Sequence, residues 1–373
     1  MVRTDVSIRD SVVTALEHRS PGEGHALDAA GSAVLPGFID IHVHGGGGHS
    51  FFTRDPARIE AYAQWAPRNG VTSFLVSLVG NDAEDTCVML AALKPALTGS
   101  NYAAQPLGFH LEGPFINPVR KGAFPEPVLR APVAEEFVRY QDAAGGAIRQ
   151  MTVAPELPGA HDVADAAVGS GCRAAMGHTD ASFEEARRGL AGPFSHVTHL
   201  FNAMRPLHQR DGGPIAAALL SDATCELIFD GVHVSSEVLR LAYRNLGPNR
   251  TIVVTDNLYL AGTDVAEGTF AGGTVRSGAG VARRGDGTIV GSTMTLDDHF
   301  RNATRFLNVD LATASQLCST NAARLLGMQD RGVIGVGAVA DFVLLDEALE
   351  VVATVCRGRL AYLRPRDEWR HSA

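Results

Sequence analysis

With 373 residues, 45% hydrophobic and 20% charged, the chain can bury one large core plus a small accessory unit, and it carries no long polar tract of the disordered kind. A net charge of −9 argues against a nucleic-acid surface but leaves room for an anionic ligand held by a few local cations. Cys87, Cys172, Cys225, Cys318 and Cys356 are odd in number, scattered and without CxxC spacing, which argues against a disulfide framework and fits a reducing compartment.

The opening residues MVRTDVSIRD lack the apolar stretch of a signal peptide. No apolar run approaches the ~20 residues of a membrane helix. The reading is a soluble, cytoplasmic protein. In chain order, residues 1 to about 35 read as short β segments with Gly and Pro punctuation. Eight apolar, β-rich runs follow, at 34–44, 71–78, 106–112, 150–156, 172–178, 194–199, 225–231 and 251–256. Helical patterns lie between them. Those at 181–190 and 235–246 have N-cap candidates in Asp180 and in Ser235 or Ser236. Strand then helix, repeated about eight times, predicts a (β/α)8 TIM barrel. An open doubly wound sheet is the runner-up, but no GxGxxG follows an early strand. The Gly-rich stretch 262–291 has no helical period, and residues 333–363 again read as short strands. The two ends, 1–35 and 333–373, are expected to form one small β-sandwich domain, which strands from 262–291 could join, with the barrel 36–332 between them.

Barrel chemistry sits at the C-terminal ends of strands. Here those ends carry His42 and His44, His110 and Glu112, His178 and Asp180, His196 and His199, Asp230 and His233, and Asp256. A lone His at a strand end is usually structural. Its repetition along one barrel edge points to a metal site instead. His42 and His44 are two apart, so on a strand both face the same way and suit one ion. An exposed HVHGGGG turn is the competing reading. Glu112, His178 and His199 supply a second set, two His and one carboxylate, which is a familiar catalytic zinc arrangement. An ion-paired carboxylate is the alternative for Glu112, at odds with the apolar run LGFHL before it. Asp256 ends the apolar strand TIVVTD and reads as a metal ligand, a general base, or both.

PGFIDIHVHGGGG (36–48), HLEGPFINPVRKGAF (110–124), GHTDA (177–181), THLFNAM (198–204), DGVHV (230–234), VTD (254–256) and GSTMTLDDHFRN (291–302) run in order over nearly the whole chain. Together they resemble the signature segments of the N-acetylglucosamine-6-phosphate deacetylase family within the amidohydrolase superfamily. The resemblance implies hydrolysis of an acetamide by metal-activated water, with Asp256 as general base and then acid. It implies Glu112, His178 and His199 as principal metal ligands, and His42 and His44 at a second position that some members have. It places Asn202 and the Ala203 backbone on the sugar phosphate, and Arg210 and His233 on the phosphate. Implied too are one or two divalent ions, an amino-sugar phosphate as substrate and a homodimer; Zn2+ suits the donor set, with Fe2+, Mn2+ or Co2+ as alternatives, and the acidic charge and lack of a long apolar run speak for no nucleic acid or membrane partner.

Two segments depart from the family. Its loop after HLEGP usually reads KGAH, where this chain has Lys121-Gly122-Ala123-Phe124. Phenylalanine donates no hydrogen bond, so that substrate contact is lost or replaced. After Asp256 the family has small residues, where Asn257, Leu258 and Tyr259 make a bulkier loop expected to reshape the sugar pocket. Both leave open a deacetylase of N-acetylgalactosamine 6-phosphate or another N-acyl amino sugar, an amidohydrolase of a cyclic amide or dipeptide, and a non-catalytic sugar-phosphate-binding protein.

Overall fold

Eight parallel strands hydrogen-bond in chain order: β1 (Phe38–Asp40), β2 (Val71–Val79), β3 (Gln105–Glu112), β4 (Ile148–Val153), β5 (Arg173–Met176), β6 (His196–Val197), β7 (Thr224–Ile228) and β8 (Thr251–Val254). They belong to a computed structural model that describes residues 4–17, 27–29, 31–80, 82–99 and 103–365. Helices cover the outer face, so a strand such as β2 is buried along its full length and reads as a continuous apolar run rather than an alternating one. The (β/α)8 expectation holds. Closure between β8 and β1 comes just past the strand ends, through a parallel bridge between Val43 and Asn257. There Asp256 N donates to His42 O (2.9 Å) and His44 N donates to Asn257 O (2.8 Å). The barrel is therefore sewn shut by the segments that carry the candidate site.

The run 34–44 is not one strand. Ala33–Pro36 joins an antiparallel sheet with Phe342–Leu345, Val351–Cys356 and Arg359–Leu363, while β1 belongs to the barrel. The switch falls at Gly37, where an added Cβ would lie 2.2 Å from Thr72. Only glycine lets the two chains pass this closely. A hairpin of Val6–Arg9 and Val12–Leu16 packs on the terminal sheet through Val6 and Val13, giving the small sandwich. Residues 1–3, 18–26, 30 and 366–373 of these terminal segments lie outside the described residues.

The stretch 262–291 does not extend the terminal sheet. Its strands, Glu267–Phe270, Gly273–Gly278, Val281–Arg283 and Ile289–Ser292, form a separate four-stranded antiparallel sheet. Phe270, Val275, Ala282 and Val290 bury their side chains against Ile116, Phe124, Leu258 and Leu260 of the barrel-end loops. Apolar alternation at this level shows that a strand has a buried face but not which sheet covers it.

Helix Phe183–Leu190 starts later than expected. Its N-cap is Ser182, in a capping box with Glu185. Asp180 instead receives Arg120 and Arg205. The next helical pattern does begin after Ser235.

Helix Leu296–Leu307, from the GSTMTLDDHFRN segment, grips the end of β7. Asn302 Nδ2 donates to Phe229 O (2.8 Å), and His299 Nδ1 accepts from Phe229 N (3.0 Å). A ring accepting at Nδ1 is neutral, and burial lowers the His299 pKa from 6.5 to about 4. The unfolded chain therefore binds the extra proton, so this stability is present above pH 6.5 and lost as pH falls towards 4. The shift is worth about 3 kcal/mol. Urea unfolding of metal-free protein should show that acid loss in the wild type and a much flatter profile in His299→Gln, whose amide oxygen still accepts from Phe229. Equal slopes would remove His299 as the cause.

Candidate metal centre and active site

Each candidate ligand stands at, or two to four residues past, a strand end. Glu112 is the last residue of β3, His178 and His199 follow β5 and β6, His42 and His44 follow β1, and Asp256 follows β8. His178 (φ 48°), His199 (φ 27°) and Asp256 (φ 50°) adopt left-handed backbone. That costs roughly 1 kcal/mol or more per non-glycine residue, and such strain concentrates at functional sites. It ends each strand abruptly beside the barrel mouth.

The six side chains meet. Glu112 Oε1 lies 2.9 Å from both His178 Nε2 and His199 Nε2. Glu112 Oε2 lies 3.1 Å from His44 Nε2 and 3.5 Å from His42 Nε2. Asp256 Oδ1 lies 3.4 Å from His44 Nε2 and 3.6 Å from His42 Nε2. Two donor groups result, His42–His44–Glu112 and Glu112–His178–His199, each with its ligand atoms within 4.8 Å of one another. The two sets expected from the sequence thus share Glu112.

Hydrogen bonding on the far side of the rings shows that these nitrogens fit a cation. His44 Nδ1 faces Ser77 O (3.1 Å), His178 Nδ1 faces Arg120 O (2.9 Å) and His42 Nδ1 faces Glu226 Oε2 (2.8 Å). All three partners only accept, so each Nδ1 carries a proton, and each ring, when neutral, presents its lone pair at Nε2. His178 Nε2 and His199 Nε2 nevertheless sit 3.1 Å apart, and His42 Nε2 is buried with no hydrogen-bond partner. In the neutral rings of His42, His44 and His178 these lone pairs aim at one spot and at carboxylate oxygens, an arrangement that a metal ion satisfies.

The field points the same way. Burial opposes the charge on Glu112, but His42 and the close imidazoles of His178 and His199 hold its pKa well below the usual range. Asp256 is likewise lowered, burial being outweighed by His42 and His44. Burial also opposes charge on His44, yet Asp256 and Glu112 push it up to about 9. Ionised carboxylates that favour a proton here favour a divalent cation more.

Other expected residues lie around this cluster. Asp230 Oδ1 accepts from Val232 N and His233 N (2.8 Å each), and Oδ2 takes His233 Nδ1 at 2.5 Å. That leaves His233 Nε2 for a ligand. Asn202 Nδ2 bonds His199 O (3.2 Å), and Ala203 O receives Thr179 N (3.1 Å), so the FNAM segment is tied to the ligand loops. Arg210 is not brought to the cluster. It is exposed on a turn closed by His208 and Asp211.

The loop after Asp256 faces elsewhere than expected. Asn257 and Leu258 are buried, Leu258 in the apolar cluster under the separate sheet, and Tyr259 Oη accepts from Thr269 N (2.9 Å). This loop anchors that sheet. Phe124 is buried in the same cluster, its ring 5.0 Å from that of His178. The two polar groups nearby in sequence are both engaged. His110 is buried between Ser77 Oγ (3.0 Å) and Thr152 Oγ1 (2.9 Å), and Lys121 Nζ donates to Phe124 O (3.2 Å).

The residue missed from the sequence is Glu226, which receives His42, Gln150 and His196 side chains inside the barrel. Its signal was an acid in the middle of the apolar strand CELIF.

The amidohydrolase family model matches residues 33–361. An N-acetylglucosamine-6-phosphate deacetylase of Bacillus subtilis is 34% identical over 367 residues, 96% of this chain and 92% of that protein. Among solved structures, a point mutant of the Mycobacterium smegmatis N-acetyl-D-glucosamine-6-phosphate deacetylase, in complex with N-acetyl-D-glucosamine-6-phosphate, superposes with a TM-score of 0.90. It is 32% identical and covers 95% of this chain and 94% of its own. The Pasteurella multocida enzyme of the same name gives a TM-score of 0.92 at 27% identity, covering 98% and 96%. With its metal-type cluster at the barrel mouth and relatives matched end to end, the chain belongs to the amidohydrolase family and, within it, to the N-acetylglucosamine-6-phosphate deacetylases.

Proposed function

We propose that the protein hydrolyses the acetamide of N-acetylglucosamine 6-phosphate to glucosamine 6-phosphate and acetate. The observation that carries this is the convergence of Asp256 with the shared Glu112 and four imidazoles. The family and the His/Glu cluster support a divalent metal. Glu112, His178 and His199 would hold one ion, and His42 and His44 with Glu112 a second; Zn2+ suits these donors, and Fe2+, Mn2+ and Co2+ accept them too. Such an ion supplies Lewis acidity towards the amide carbonyl and makes water a better acid.

The chain's own groups do the rest. Asp256 Oδ1 takes the proton of the attacking water and returns it to the amine nitrogen as the C–N bond breaks. Asp230 fixes His233 so that Nε2 meets the phosphate, and Asn202 and the Ala203 backbone orient the sugar phosphate. Arg210 offers a planar fork for phosphate. In a homodimer it would serve the partner's site. Phe124 favours a second reading, a different N-acyl amino sugar, because the wall beside His178 is apolar where the family has a donor.

Acetate release should be measured for N-acetylglucosamine 6-phosphate, its galacto epimer and the sugar without phosphate. The gluco phosphate should lead, with kcat/KM about 100-fold above the unphosphorylated sugar, the worth of one or two charge-assisted hydrogen bonds. Preference for the epimer would support the second reading. No acetate from any of the three with metal-loaded protein would sink the enzyme. Arg210→Ala should raise KM about tenfold for phosphorylated sugar alone. An equal rise for the phosphate-free sugar would remove Arg210 from the phosphate.

A further inference from the structure

Glu226 lies inside the barrel on β7, fully buried. Its Oε2 accepts from His42 Nδ1 (2.8 Å) and from the backbone N of His199 (3.0 Å). Its Oε1 accepts from Gln150 Nε2 (2.7 Å) and faces His196 Nε2 (3.1 Å). Two donors per oxygen is the full complement of a carboxylate. None of these partners is Lys or Arg. A carboxylate kept out of water with only imidazole and amide partners carries a heavy desolvation penalty, where barrel interiors ordinarily hold aliphatic residues. The penalty is offset once positive charge sits on the far side of His42.

We propose that Glu226 is a positioning residue that sets occupancy of the His42–His44–Glu112 pocket, and so makes this chain a two-ion protein. The inference rests on the metal reading above. By accepting the Nδ1 proton, Glu226 obliges the neutral His42 ring to turn an unprotonated Nε2 towards Glu112 and Asp256. Its charge also strengthens that nitrogen as a donor. Its other contact with a ligand residue, His199, is to backbone only, so the Glu112–His178–His199 pocket depends on it far less. In E226Q the amide oxygen stays towards His42 and His199, which must donate, and the NH2 turns to Gln150 and His196, which can reverse. The substitution therefore removes charge while keeping the acceptor.

The test is equilibrium dialysis of metal-free wild type, E226Q and His42→Gln against Co2+, with elemental analysis and the visible spectrum of bound cobalt as readouts. The wild type should take two ions. E226Q should bind one with unchanged affinity and the other about 10–100-fold more weakly. His42→Gln should lose that same ion and its spectral component. Two ions bound by E226Q at wild-type affinity, or a single ion in the wild type, would overturn the role of Glu226 while leaving the metal site standing. No cobalt in the wild type would instead defeat the metal reading. Should E226Q fail to fold, long-range 15N–1H NMR of the metal-loaded wild type decides the matter. A His42 ring protonated at Nδ1 supports the proposal, and one protonated at Nε2 overturns it.

Discussion

Asp256→Asn should lower kcat about a thousandfold, within the range of a lost general acid–base group, while metal uptake stays at the wild-type level. Asparagine has the shape of aspartate and tolerates the left-handed backbone found at this position (φ 50°). It cannot accept the proton of an attacking water. Both donor groups are complete without Asp256, which stands 3.4 Å from His44 and 3.6 Å from His42. Proton transfer, rather than ion retention, is therefore where its loss is felt. Acetate release under saturating substrate gives kcat, and elemental analysis of the same sample gives metal content. A variant within tenfold of wild-type kcat would remove Asp256 from proton transfer. A variant short of metal would reassign it as a ligand.

The barrel was legible because each parallel strand is buried on both faces and so leaves an apolar run in the sequence. The ligands were legible because they sit at the ends of those runs. What the sequence could not show was pairing across distance. Glu226 looked like one acid in an apolar strand, since its partners His42, Gln150 and His196 lie 184, 76 and 30 residues away. The sharing of Glu112 was hidden for the same reason. Two carboxylate oxygens facing opposite ways is a fact of three dimensions.

Side-chain bulk was equally visible in the sequence, and its direction was not. Asn257, Leu258 and Tyr259 are large for their place, but they turn inward or into the separate sheet rather than towards the cluster. Phe124 does both, its ring lying against His178 and being buried under that sheet. An aromatic ring in place of a donor completes the apolar packing of Ile116, Leu258 and Phe270 beneath that sheet. The two departures from the family pattern thus meet in one hydrophobic cluster, which anchors the sheet beside the active site. Gly37 shows the converse case, in which one residue without a side chain divided a run that reads as a single strand.

Glu112→Ala should abolish turnover together with metal binding. Each of the two donor groups takes its carboxylate oxygen from this residue. Alanine leaves His178 with His199, and His42 with His44, as bare imidazole pairs. Two imidazoles make a far weaker site than two with a carboxylate. The expected protein holds less than one ion per chain after dialysis and releases acetate at the background rate. Stability gives a reading independent of activity. A ligand that binds only the folded state adds about 2.7 kcal/mol when its free concentration is roughly a hundred times Kd. Wild type and Asp256→Asn should therefore both show a higher unfolding midpoint on addition of metal, and Glu112→Ala should show almost none. That contrast separates the two carboxylates, which lie against the same imidazoles. If Asp256→Asn lost the metal-dependent rise and Glu112→Ala kept it, the roles of ligand and proton carrier would have to be exchanged.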